Sequence, residues 1–61
     1  MSGKVRIEYM NQFGEWQRYT TVSAFRTNIR AALQRAIRVQ ACAGKARAVD
    51  EETGAVVDIQ G

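Results

Sequence analysis

From Ala24 to Ala43 the apolar residues recur at helical spacing, and on both sides of that stretch they recur at every second residue. A chain that switches period in this way, once in and once out, has few ways to bury all its apolar faces together. On a wheel of about 100° per residue, Phe25, Ile29, Ala32, Leu33, Ala36 and Ile37 fall within about 140° of one another, which makes a core-facing stripe. Upstream, Val5, Ile7 and Tyr9 alternate with Lys4, Arg6 and Glu8, the pattern of a half-buried strand. Asn11-Gln12-Phe13-Gly14 is turn chemistry, with Gly14 free to take positive φ. The segment after it is rich in Trp, Tyr and Thr, which favour strands. Strands are therefore expected near 4–10 and 15–21, as a hairpin over 4–21. A second hairpin over 45–60 is expected from strands near 45–50 and 55–60. Its turn, Asp50-Glu51-Glu52-Thr53-Gly54, reads as type I closed by Gly54 in the αL conformation.

The fold expected is α+β, with the order β-β-α-β-β in one domain over 1–61. Four antiparallel strands form a sheet, and one helix over 23–43 packs on one face. Ala46 and Ala48 are small enough to let the helix approach closely. Val57 and Ile59 are expected to face it, and Val56 and Asp58 to face away. Ser23 is the expected N-cap, with Thr21 as competitor, and Gly44 the expected left-handed C-cap. Such a helix is about 30 Å long against about 23 Å for a seven-residue strand, so it should overhang the sheet.

Composition limits what such a domain can do. Of the 61 residues, 46% are apolar, but nine of those are alanine. A domain of this size buries roughly 60% of the surface its unfolded chain exposes, too little to enclose a cofactor or a deep active site. With no His and one Cys, a Ser-His-Asp triad, a Cys-His pair, a His metal ligand, a Cys-rich zinc site and an internal disulfide are all excluded. No apolar run approaches the roughly 18 residues of a membrane span. The start, Met-Ser-Gly-Lys, lacks the apolar stretch of a signal peptide. The expected setting is cytoplasmic and reducing.

Arg47-Ala48-Val49-Asp50-Glu51-Glu52-Thr53-Gly54-Ala55-Val56-Val57 looks like the closing hairpin of many small proteins of phages and GC-rich bacterial genomes. Those often pair it with a first hairpin carrying Gly-x-Trp, as Gly14-Glu15-Trp16 does here. The likeness rests on turn chemistry and carries no diagnostic motif. In size the chain also resembles mobile-element proteins that inhibit host defence, anti-CRISPR proteins among them. The resemblance implies a small inhibitor that occupies a surface of a larger host protein or ribonucleoprotein complex in the bacterial cytoplasm.

The helix carries the sharpest functional signal. It holds Arg26, Arg30, Arg35 and Arg38 and no acid, so residues 22–43 carry +4, while 1–21 carry +1 and 44–61 carry −2. Arg26, Arg30, Gln34 and Arg38 step by four along one slanted ridge, about 18 Å from first to last. Like charges at this spacing cost an isolated helix a few tenths of a kcal/mol. Arginine outnumbers lysine seven to two, and its planar fork suits carboxylates and phosphates. The ridge reads either as a docking surface for an acidic protein face or a nucleic acid, or as a solvated face. For a base-reading helix, Asn28 and Gln34 lie on different sides. For a sheet-based RNA reader, the open face would carry Arg6, Glu8, Val49, Val56 and Asp58, lacking aromatics and repelling phosphate through its acids.

Other candidates read more plainly. Trp16 either covers one end of the core or anchors an interface, since Trp, Tyr and Arg dominate interface energetics. Phe13, in a turn, either meets a partner or packs beneath the overhanging helix. Asp50, Glu51 and Glu52 read as an exposed turn with nothing to desolvate them. Cys42, at the negative end of the helix dipole, reads as a small buried side chain. No catalytic, cofactor-binding or metal-binding residues are expected. The leading reading is a non-enzymatic binding protein that contacts its partner through Arg26, Arg30, Arg38, Gln34, Phe13 and Trp16. A nucleic-acid-binding accessory using the same ridge is the second reading. A structural subunit that forms a homodimer through its open sheet face is the third. No membrane partner is expected.

Overall fold

A computed structural model of the chain describes residues 3–39 and 42–61, and the side chains of Cys42 and Ala43 are not among those described. The expectation for the Cys42 side chain therefore lies outside the described residues. Four strands, β1 (Lys4–Asn11), β2 (Trp16–Ser23), β3 (Cys42–Asp50) and β4 (Val56–Gln60), and one helix, α1 (Arg26–Ile37), follow the order β-β-α-β-β. All pairings are antiparallel, and the strand order across the sheet is β2-β1-β3-β4. The two sequence-local hairpins thus meet at a seam between β1 and β3.

Val5 and Ile7 of β1, Ala46 and Ala48 of β3, and Ile29, Ala32, Leu33 and Ala36 of α1 form the buried core. Tyr9, Val22, Ala24 and Ile37 pack around it. The alanines of β3 and α1 lie on facing surfaces, so the helix seats closely on the sheet.

Both hairpins are closed by the same device. Asn11 Oδ1 accepts the backbone N–H of Phe13 and of Glu15, each at 2.9 Å. Asp50 Oδ1 accepts those of Glu52 at 2.8 Å and Thr53 at 3.3 Å. A glycine at positive φ follows in each, Gly14 at 80° and Gly54 at 77°. Nothing lies within 4 Å of a Cβ added at Gly54. Gly54→Ala should therefore cost only the left-handed backbone penalty, about 1 kcal/mol. Urea denaturation checks this, and a loss above 2 kcal/mol would show that the turn is crowded.

The helix is shorter than its apolar period. Ser23 and Thr21 do not cap it. Both belong to β2, where Lys4 pairs with Ser23 and Arg6 with Thr21, so sheet pairing claims the Thr-Thr-Val run first. The N-cap is Phe25, in extended conformation and without a side-chain cap hydrogen bond. Phe25 consequently lies off the helical wheel and is 69% exposed, not in the core. At the other end, Arg38 and Val39 donate to the carbonyls of Arg35 and Ala36, both at 3.1 Å. These tighter bonds end the helix. At 12 residues it spans about 18 Å, shorter than β1, so no overhang exists and Phe13 packs beneath nothing, at 85% exposed. Gly44 has φ 85° but lies inside β3. There it serves the register break between the pairs Tyr9–Ala46 and Asn11–Cys42 rather than a helix C-cap.

A second register break sets the faces of β4. Val49 pairs with Val56 and Ala48 with Asp58, which leaves Val57 as an extra residue. Asp58, opposite a core alanine, is therefore on the helix side, and Ile59, opposite Arg47, is on the open face. The expected alternation is reversed at both positions, because a bulge shifts every side chain beyond it.

Candidate functional site

Two charged surfaces emerge, one on each face of the sheet. On the open face an ion-pair chain runs across three strands. Glu8 Oε1 accepts from Arg47 Nε at 2.7 Å, and Glu8 Oε2 lies 3.0 Å from Arg6 Nε. That second N–H is aimed off the oxygen, so the contact is electrostatic rather than a hydrogen bond. Glu51, in the β3–β4 turn, sits 3.9 Å from Arg6 and 3.8 Å from Arg18. The Arg47 guanidinium lies over the Trp16 ring at 4.3 Å from its centroid, a cation–π contact. Trp16, paired with Met10, is thus on the open face and does not cover an end of the core. The acids of this face are already matched by arginines. The acidic turn also differs from expectation, because Asp50 is buried and organises the backbone. Tyr19, the extra residue where β2 shifts register, packs edge-on against Tyr9 at 6.4 Å.

The helix face carries the second surface. Arg26, Arg30, Gln34 and Arg38 are all exposed. Arg38, one step past the helix, keeps an αR backbone, so the ridge persists through the cap. Among the described residues, none of Arg26, Arg30, Arg35 and Arg38 makes an ion pair. Arg26 also stands at the helix N-terminus, where the dipole opposes a positive charge and no acid occupies the first turn.

Open grooves flank the ridge. On the β4 side, Val5, Ala24, Arg26, Ile29, Val57 and Asp58 line a groove of ≈ 260 Å³, and Arg26, Arg30, Val57 and Asp58 line its continuation. On the β2 side, Lys4, Ser23, Asn28 and Arg35 lie along a second groove of ≈ 340 Å³. Asn28 and Gln34 are therefore on different sides, as the wheel indicated. Asp58, expected on the open face, stands instead beside the arginines, because its placement depends on the β4 bulge. Phe25, expected in the core-facing stripe, is instead an exposed aromatic directly before Arg26. The nearest available signal was that Phe25 comes first along the chain among the residues of the helical stripe.

The structure thus keeps the arginine ridge together and exposed. It sets Phe13 apart, in the β1–β2 turn, and puts Trp16 on the opposite face. Among the described residues no helix is long and apolar enough to cross a membrane. No family model, no curated protein and no solved structure matches this chain.

Proposed function

We propose that the protein is a non-enzymatic binding module that docks the arginine face of α1 on an acidic surface of a larger protein or ribonucleoprotein complex. Inhibition of a host defence complex, in the manner of anti-CRISPR proteins, is the sharpest form of this reading. The supporting observation is the contrast between two sets of arginines. Arg6, Arg18 and Arg47 are matched by Glu8 and Glu51 within the sheet, whereas Arg26, Arg30 and Arg38 have no acid partner among the described residues. Charges left unmatched in the free chain are available to an anionic partner. Phe25, exposed beside Arg26, adds an apolar anchor of the kind that interfaces favour.

The test is charge reversal, Arg→Glu at 26, 30 and 38. These side chains are exposed, so circular dichroism and melting should change little. The tagged parent should capture a defined protein set from a candidate host lysate, and the folded reversal should lose it. Triple alanine should weaken capture less than reversal does. A folded reversal that captures the same set would rule out the ridge. A nucleic-acid partner would show instead as duplex or single-strand binding that falls steeply with salt.

A further inference from the structure

β4 is the least covered element of the fold. It is an edge strand, and α1 packs over β3, β1 and β2 and touches it least. Val56, Val57 and Ile59 are 51%, 46% and 60% exposed. Both faces of the strand are involved. Val56 and Ile59 stand on the open face, while Val57 and Asp58 line the groove with Arg26 and Arg30. Asp58 Oδ1 accepts the backbone N–H of Ile59 at 2.8 Å, and among the described residues the carboxylate makes no ion pair with either guanidinium of its own chain.

The strand is complementary to itself. Two identical antiparallel strands related by a two-fold axis set residue i against j and j against i. In a regular strand, opposed residues share a face only if the axis passes through a residue. In β4 an axis through Asp58 sets a like-charge pair, and one through Ile59 overlaps only the last residues of the strand. The bulge opens another register. Since Val57 and Asp58 both turn to the helix side, the axis can pass between them. Val56 then opposes Ile59 of the second copy on the open face, and Val57 opposes Asp58 on the helix side. Each strand offers two residues at the bulge, so the bulges match without a slip. Val57 lines the groove beside Arg26 and Arg30, so the carboxylate opposite it enters that groove. Edge bulges and inward charges ordinarily discourage strand pairing; a two-fold copy is the strand whose shape and charge fit this one.

We infer that β4 is the seam of a homodimer, in which Val56 and Ile59 pair across the open face and Asp58 of each chain meets Arg26 and Arg30 of the other. The sheet becomes continuous across both chains, with both helices on one side. Arg38 stays outside the seam, so the second copy and a partner docked on the ridge compete for Arg26 and Arg30.

Sedimentation from micromolar to millimolar concentration tests the inference. The mass should rise from the 6.8 kDa of one chain toward twice that value. Ile59→Lys, on an exposed open-face position, should hold it at one chain with unchanged circular dichroism. Charge complementation gives the second measurement. Asp58→Arg alone and Arg26→Asp with Arg30→Asp alone should each raise the dissociation constant at least tenfold, and mixing the two variants should restore the dimer. This mixture decides the matter even if Ile59→Lys fails to fold. A single-chain mass for the parent at every concentration would overturn the inference, as would association that mixing does not restore. The monomeric Ile59→Lys chain can still be tested for partner capture, so failure here and failure of the ridge reading are distinguishable.

Discussion

Leu33→Ala should leave a large part of the protein unfolded. Leu33 is among the three largest fully buried side chains, with Ile7 and Val5. It stands where α1 meets the sheet, and neighbouring core positions on both sides are alanines. Little can therefore collapse into the space it vacates. Loss of a buried leucine side chain costs about 2–5 kcal/mol, and the rigid surroundings favour the upper half of that range. A domain of this size has roughly 3–9 kcal/mol of total stability, so the remainder is small. Urea denaturation followed by circular dichroism measures it. A variant within 1 kcal/mol of the parent would mean that α1 presents a different face to the sheet.

Glu8→Ala should break the ion-pair chain of the open face at its centre. The Glu8 side chain is 12% exposed and lies between Arg47 and Arg6. Removing its carboxylate leaves two guanidiniums on adjacent strands with no acid between them. Breaking a fully buried pair costs about 3–5 kcal/mol. The arginine side chains retain about a third of their exposure, and water screens them, so about 2 kcal/mol is the expected loss. Glu8→Gln keeps an acceptor without the charge and should cost about half as much. The double variant Glu8→Ala with Arg47→Ala should cost less than the two single losses added. Equal stability of parent and Glu8→Ala in low salt would show that the network contributes nothing.

Leu33 and Glu8 were both readable in the sequence, for one reason. Each lies in the middle of an element, where a single period governs which way a side chain points. Ile29 and Ala32 share that property, and Ala36 and the spacing of Arg26, Arg30 and Gln34 follow the same period. The misreadings lie where pairing with a distant strand overrides a local pattern. Thr21 and Ser23 have good capping chemistry, yet β1 offers them a ladder. Gly44 advertises positive φ, which a strand bulge uses as readily as a helix end. Ile59 and Asp58 exchanged faces because one extra residue, Val57, enters the β4 register. Nothing in Val-Val-Asp-Ile announces that insertion, and the placement of Asp58 beside Arg26 and Arg30 depends on it. The ridge was therefore legible, and the groove beside it was not.

The strand order β2-β1-β3-β4 also fixes the sequence of events by which the chain can fold. Each hairpin joins neighbours in sequence and carries its own turn device, so each can close in about 1–10 μs. The central pairing cannot. Ile7 meets Ala48 across all of β2, the helix and the approach to β3, so its loop must close before either residue gains a contact. That step brings together Val5, Ile7, Ala46 and Ala48 and gives Leu33 a surface to bury against. The rate-limiting barrier should therefore lie at the docking of two preformed halves, with the helix as the tether that sets their encounter frequency.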